Sequence, residues 1–422
     1  MIELISEQLE KLVREDRGRI MATLMAQFGD LDRCEEAFQD AQALAMRAWC
    51  RGIPDNARAW ILTTARRRAI DDIRREQCFQ HVVSGLGEEL SSELSLPTSE
   101  EELDEISLPD ERLKLLLICC HPALEEKTSV VLSLRFIAGL TTIEIARAFL
   151  DKPATIGQRI TRAKSKIRLS GIRYGLPTHE QLDGRIAAVL KVIYFIFNEG
   201  YACQQGDEQL RLDLCEEALF LAELVSQLQP NNAEVQGLLA LMQLSYARST
   251  ARQSAEGLFI PLAQQNRDLW DRGLIANACE RLERALELGQ LGPYQLQASI
   301  GAIHCEAKAF SCTDWPQIVM MYRLLFKCQT NDVVLLNLFV AESYIYGAEY
   351  GLHKIEPLSR SLSAYQPFHA ARAELLSKLT RFDEAVKAYG QASALTSVVS
   401  EKRYLQMQKE QVLRRKEESK KD

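Results

Sequence analysis

Apolar residues recur three and four positions apart through most of this 422-residue chain. Ile156, Ile160, Ala163 and Ile167, for example, are separated by four, three and four residues. This spacing places apolar side chains on one face of an α-helix, whereas the alternation typical of a half-buried β-strand is rare here. The 21 Gly and 12 Pro residues are also too few for a turn-rich β protein. The sequence therefore predicts an all-α fold with roughly two to four domains.

The composition argues against a membrane protein. Apolar residues make up 47% and charged residues 26% of the chain, as in ordinary soluble proteins, and no run of 18 apolar residues is present. The first residues carry acids where a secretion signal needs basic residues. The eleven Cys residues include no CxxC pair, which is typical of reduced thiols. We expect a cytoplasmic protein that does not bind membranes.

Charge is distributed unevenly along a chain whose net charge is −7. The segment from Gln77 to Glu111 contains no Lys or Arg and carries ten acids from Glu88 onward. This pattern predicts a solvated linker or, more specifically, a linker whose charge enters a basic channel of a partner. Dense basic clusters on either side indicate contacts with a phosphate backbone. They comprise Arg66, Arg67, Arg68, Arg74 and Arg75 before the linker, and Arg159, Arg162, Lys164, Lys166, Arg168 and Arg173 after it.

Residues 141–168 predict a helix-turn-helix. Thr141 to Glu144 reads as a capping box, residues 151–154 as the turn, and Thr155 to Gln158 as a second capping box. The second helix has an apolar stripe on one side and a basic, polar face on the other, and such a face can enter the major groove of DNA. A helical hairpin with a merely solvated basic face is the alternative. The candidate DNA-binding residues are Thr155, Gln158, Arg159, Thr161, Arg162, Lys164 and Lys166.

The N-terminal block predicts three helices, near residues 3–28, 31–51 and 56–75. The third helix presents a core face that includes Trp60, Ile61 and Ala65, with Arg67 and its basic neighbours outside. A Trp in this position is more typical of a core than of base stacking, and both interpretations stay open.

The ordered motifs resemble extracytoplasmic-function (ECF) sigma factors. The block from Gly29 to Arg66 is similar to sigma region 2, and the helix-turn-helix after the acidic linker resembles sigma region 4. The second half is similar to a subgroup with a long helical C-terminal extension, although Asn266 stands where that subgroup has an acid. The segments that carry this second resemblance are 193–201, 265–272, 292–298 and 313–315.

The resemblance implies a binding role for each block. A helix face with Glu36, Gln39 and Asp40 would dock on the β′ clamp of core RNA polymerase, and the β flap is a second expected contact. The recognition helix would read the −35 element as double-stranded DNA, and the acidic linker would lie in a basic channel of the polymerase. The −10 element, partly as single-stranded DNA, would be read by Trp60, Thr64, Arg67, Arg68, Arg74 and Arg75.

The C-terminal half predicts helical hairpins similar to tetratricopeptide repeats, which bind proteins on a concave face. An all-helical core without a ligand is the alternative. Asn198, Glu199, Gly200 and Tyr201 form an extension motif in which Gly200 would end a helix, and we favour an interdomain contact over ligand sensing. The predicted domains are region 2 at 1–77, the acidic linker at 78–110, region 4 at 111–175, the extension at 183–400 and a frayed, charged tail at 401–422.

No motif indicates catalysis, a cofactor or a metal. Cys119, Cys120 and His121 are adjacent on one predicted helix, so their side chains diverge and cannot share a tetrahedral metal site unaided. We therefore expect a sigma factor that is not an enzyme. Two other functions remain as alternatives: a stand-alone helix-turn-helix regulator with a helical sensor domain, and a tetratricopeptide adaptor with a vestigial DNA-binding half.

Overall fold

A computed structural model describes residues 2–84, 108–149, 151–170, 174–175, 179–201, 211–254 and 257–419. These residues form helices with one isolated bridge between Gln253 and Phe259 and no strand, so the all-α prediction is confirmed. The acidic linker falls mostly on residues 85–107, outside the described residues. The α-helices are α1 Ile2–Phe28, α2 Leu31–Ala48, α3 Ala57–Ser84, α4 Leu108–Cys119, α5 Glu126–Phe136, α6 Thr142–Ala148, α7 Pro153–Leu169, α8 His179–Tyr201, α9 Leu212–Leu228, α10 Ala233–Tyr246, α11 Arg272–Glu287, α12 Pro293–Glu306, α13 Trp315–Cys328, α14 Asp332–Tyr346, α15 Ala348–Ile355, α16 Gln366–Lys378, α17 Phe382–Leu395 and α18 Val399–Glu418.

The chain divides into two compact units, Met1–Phe195 and Ile196–Asp422, and the division falls inside α8. The first part of α8 therefore packs with the N-terminal unit, whereas the start of the extension at residue 183 stays a prediction. Its Phe195 ring stacks on Phe149 with 5.5 Å between the ring centroids. Lys191 Nζ also lies 2.7 Å from Glu126 Oε2.

Helices α1–α3 pack together in the first unit. Asp30 begins α2, because its side chain accepts hydrogen bonds from the backbone N–H groups of Asp32 and Arg33. Helix α3 buries Ile61, Ala65 and Ala69, four residues apart, against this core. It continues to Ser84 and so runs past the predicted end of region 2 at residue 77.

The helix-turn-helix is formed by α6 and α7. The capping box of Thr141 and Glu144 is present at the start of α6. The second predicted capping box is wrong, since α7 begins at Pro153 without a side-chain cap, three residues before the start that an N-cap at Thr155 would give. Proline suits that first helical position because its φ is already helical and it has no N–H to leave unpaired. The predicted stripe of Ile156, Ile160, Ala163 and Ile167 is buried.

In the second unit, each helix from α9 to α18 packs against the next along the chain. Two of these pairs, α9 with α10 and α16 with α17, are helical hairpins of the kind expected for the C-terminal half. The tail differs from the expected frayed segment: α18 buries Leu405 and Val412, and Lys416 pairs with Asp383. No described helix combines the length and apolarity needed to cross a bilayer.

Candidate nucleic-acid interface

Five of the seven predicted −35 residues line one cleft in the first unit. The cleft has a volume of about 330 Å³ and lies between α7 and the start of α5. Because α7 turns by about 100° per residue, these five side chains fall within an arc of about 100°, beside the buried stripe. Arg159 reaches back toward the turn, where its Nη2 lies 4.0 Å from Asp151 Oδ2. The five residues are Thr155, Gln158, Arg159, Arg162 and Lys166.

The other two predicted residues do not line this cleft. The Thr161 hydroxyl donates a hydrogen bond of 3.1 Å to the carbonyl of Gly157 in its own helix. Lys164 lies on the far side of the buried stripe, where its Nζ is 2.7 Å from Asp32 Oδ1 and 3.0 Å from Glu35 Oε2. Its prediction as part of the open basic face is therefore wrong for this conformation, and the helical repeat explains why: residue 164 lies about 160° around the helix from residue 166.

Glu35 is the centre of a buried charge cluster that joins α1, α2, α5 and α7. The residue is only 6% exposed. Its Oε1 lies 2.9 Å from Arg135 Nη2 and 3.1 Å from Arg17 Nη2. Burial alone would raise the pKa of Glu35, but the charges of Arg135, Lys164 and Arg17 lower it below the usual value. Glu35 is therefore ionised and holds three cations near neutral pH.

Helix α3 gathers the six predicted −10 residues on one face. Trp60, Thr64, Arg67, Arg68, Arg74 and Arg75 fall within an arc of about 120° of the helix. Trp60 is half-buried and meets the buried ring of Trp49 edge-on, with centroids 5.7 Å apart. The ring therefore contributes to the core and keeps one part open. Arg67, Arg74 and Arg75 are exposed.

The three residues predicted to bind core polymerase share the solvent face of α2. All three residues, Glu36, Gln39 and Asp40, are exposed. Their spacing of three residues and then one places them on the same side of the helix. Their neighbour Glu35 lies about 40° around the helix from Gln39, at the edge of this face, and its side chain is buried in the charge cluster. Helix α2 thus has one acidic face that is open and one acidic position that is buried.

The extension motif ends α8 and contacts the start of α9. Gly200 is the penultimate residue of α8, close to the helix end that it was predicted to form. A Cβ on Gly200 would lie 2.7 Å from the carbonyl oxygen of Arg211 and 2.8 Å from Leu214 Cβ, so glycine permits this close approach. Tyr201 stacks on Phe197, and the Arg252 guanidinium lies 4.2 Å from the centroid of its ring. Asn198 is exposed and Glu199 is half-buried.

The thiols of Cys119 and Cys120 are buried, and burial raises the pKa of Cys120 to about 12. His121 Nδ1 accepts a hydrogen bond from the backbone N–H of Ala123. Among the described residues, no group of three His, Cys, Asp or Glu side chains is placed to hold a metal ion.

The sequence reasoning missed the charge cluster around Glu35. A signal was present in the helical spacing. Arg17 lies three and four residues before the buried Ile20 and Met21. Glu35 lies four residues after the buried Leu31 and three before Phe38. Ionised residues at such positions are rarely buried without partners. Which partners they have depends on residues far along the chain, because Lys164 is 129 positions from Glu35.

Three comparisons with known proteins bear on this interface. Residues 12–78, which include most of α1–α3, match Sigma-70 region 2. Residues 185–286 match a family of unknown function (DUF6596). An uncharacterized protein of Rhizobium meliloti (strain 1021) is 39% identical over 395 residues, which is 93% of each chain. No solved structure matches.

The region-2 match covers the helices that carry the open acidic face and the basic face described above. The similarity to the rhizobial protein extends through both units. The chain therefore carries a sigma-70 region 2 domain and belongs to the same family as the rhizobial protein, with a long helical second unit beyond that domain.

Proposed function

We propose that this protein is an RNA polymerase sigma factor of the extracytoplasmic-function type that directs promoter-specific initiation. The observation that carries the proposal is the region-2 match over residues 12–78. The same helices carry an open acidic face and a basic face, which we assign to a protein partner and to DNA respectively. In this proposal Glu36, Gln39 and Asp40 contact the polymerase clamp. The protein acts where core polymerase is found, in the cytoplasm, and is not an enzyme.

The cleft on α7 supports the −35 assignment. The cleft contains three cations, which are Arg159, Arg162 and Lys166. It also contains two hydrogen-bonding side chains near the N-terminal end of α7, those of Thr155 and Gln158. Arg and Gln side chains can read base edges in the major groove, and Lys can hold phosphates. Lys164 is not required for this cleft, so we assign it to the contact with α2 in the free protein.

The face of α3 supports the −10 assignment. Its exposed Arg residues can follow a phosphate backbone, and the open part of Trp60 can stack on an unpaired base. In the proposal, the second unit regulates the first or recruits a protein partner in the manner of tetratricopeptide-like hairpins.

Run-off transcription with purified core polymerase tests the proposal. Genomic fragments are transcribed with and without the full chain, and the expected result is a set of transcripts that depends on the chain. A variant with Glu36→Lys and Asp40→Lys should lose these transcripts. Glu283→Lys, an exposed change on α11, should retain them.

Two results would contradict the proposal. DNA binding by the chain alone without any dependent transcript would favour the stand-alone regulator. Dependent transcripts that are insensitive to the α2 variant would contradict the clamp assignment.

A further inference from the structure

Three arginines of the second unit converge on one buried tryptophan. The guanidinium carbons of Arg267, Arg272 and Arg248 lie 4.5, 5.7 and 6.0 Å from the ring centroid of Trp270. Trp270 is 3% exposed and Arg267 is 8% exposed. This cluster lies at the C-terminal end of α12 and plays no part in the function proposed above.

The three positive charges also meet around the last turn of α12. Burial raises the pKa of Cys305 in that turn, and the charges of Arg248, Arg267 and Arg272 all act to lower it. Burial lowers the pKa of the neighbouring His304 to about 4, with Arg248 and Arg267 lowering it further. His304 is therefore neutral near pH 7, and the positive charge comes from the arginines.

Protein groups compensate this charge only in part. Arg267 Nη1 donates to the carbonyls of His304 and Ala307 at 2.6 and 2.7 Å, and Arg272 Nη1 donates to that of Cys305 at 3.3 Å. The end of a helix carries the equivalent of about half a negative charge, against three positive charges. Among the residues that the structure describes, no carboxylate pairs with any of the three arginines.

Three neighbouring side chains also leave a buried nitrogen without a hydrogen-bond partner in the described part of the chain. These atoms are Nη2 of Arg267, Nε1 of Trp270 and Nδ1 of His304. The first two can only donate, and the neutral His304 can donate from Nδ1 in one tautomer. An unpaired buried donor is costly, and an oxyanion is the species that accepts several hydrogen bonds while neutralising positive charge.

We propose that the cluster of Arg248, Arg267 and Arg272 around Trp270 is a binding site for a small oxyanion, the phosphate or carboxylate group of a small molecule. The deeply buried Arg267 favours a small group over an extended macromolecular surface. Arg248 is half-buried and Arg272 is exposed, so these two provide the open side of the site. The site lies entirely within the second unit and does not depend on the proposed sigma function.

Binding of inorganic phosphate to the full chain, measured by calorimetry and thermal unfolding, tests the site. Succinate serves as the carboxylate probe and chloride at equal ionic strength as the blank. Arg159→Ala and Arg162→Ala are introduced throughout, because the cleft on α7 can also attract phosphate. Arg248→Gln is the test variant, since within the described part of the chain the Arg248 side chain donates a hydrogen bond to one group, the Leu244 carbonyl near the end of α10. Arg284→Gln, on an exposed arginine of α11, is the matched control.

The expected result is saturable binding of one probe that Arg248→Gln weakens by about tenfold or more, the usual size of one charge-assisted contact. Without a probe, Arg248→Gln should unfold at the same or a higher temperature, because it relieves repulsion. Arg284→Gln should bind as the parent does. The proposal is overturned if neither probe binds saturably, if Arg248→Gln binds as tightly as the parent, or if this variant unfolds earlier in chloride, as a purely structural arginine would.

Discussion

At the scale of single residues, Gly200 permits the close approach of α8 and the start of α9. We predict that Gly200→Ala destabilises the second unit by about 1–3 kcal/mol, because two backbone atoms and one Cβ would have to move away from the new methyl group. Thermal unfolding measures this change. Gly184→Ala in the same helix is the control, because a Cβ there meets nothing within 4 Å. An equal effect of the two substitutions would contradict the packing explanation.

Glu35 is the carboxylate that pairs with three cations inside the first unit. Glu35→Gln should lower the free energy of unfolding of the first unit by about 3 kcal/mol or more, because the buried Arg17 and Arg135 would lose their carboxylate. Chemical denaturation at pH 7 measures the loss. Asp71→Asn, an exposed acid on α3, should change the stability little.

The pH dependence follows from the lowered pKa of Glu35. A carboxylate with a lower pKa in the folded state stabilises fully above its unfolded pKa of about 4.3. That contribution is lost as the pH falls through the still lower pKa of the folded state. The stability difference between the parent and Glu35→Gln should therefore be constant near neutral pH and shrink in acid. A difference that grows in acid would contradict the role assigned to this carboxylate.

At the scale of elements, α7 separates two functions on two sides of its buried stripe. Arg159→Ala with Arg162→Ala should weaken binding to a −35 duplex and lower the salt dependence of the affinity by roughly one power per lost phosphate contact. Lys164→Ala should instead lower thermal stability, since it leaves Asp32 and Glu35 short of one cation. Fluorescence anisotropy at several salt concentrations measures the DNA affinity of both variants, and thermal unfolding measures their stability. The exposed Arg414→Ala on α18 is the control.

The elements also show which features could be predicted from the sequence. Spacing alone predicted the buried stripe of α7 and the capping box at Thr141, because both depend on residues within one or two helical turns. Spacing did not predict the start of α7 at Pro153, where the restricted ring of proline replaced a side-chain cap. It also missed the partners of Lys164 and the close contact at Gly200, since these depend on segments brought together only by the fold.

At the scale of the whole molecule, the position of the division inside α8 determines where the chain can be cut. We predict that residues 1–195 fold as a unit and that residues 1–178 are less stable. The shorter fragment loses the helix that stacks Phe195 on Phe149 and pairs Lys191 with Glu126. It would also expose the surface that Ile186 and Val189 help to cover. Unfolding temperatures of the two fragments measure the difference, and equal temperatures would contradict the assignment of the first part of α8 to the N-terminal unit.

The longer fragment then tests the proposed regulation by the second unit. Because its fold should be intact, a change in run-off transcription relative to the full chain reports on the removed residues rather than on unfolding. More transcript from residues 1–195 would mean that the second unit inhibits initiation, and less transcript would mean that initiation requires it. Equal transcription from both chains, at equal polymerase binding, would contradict regulation in cis and leave recruitment of a protein or small-molecule ligand as the role of the second unit.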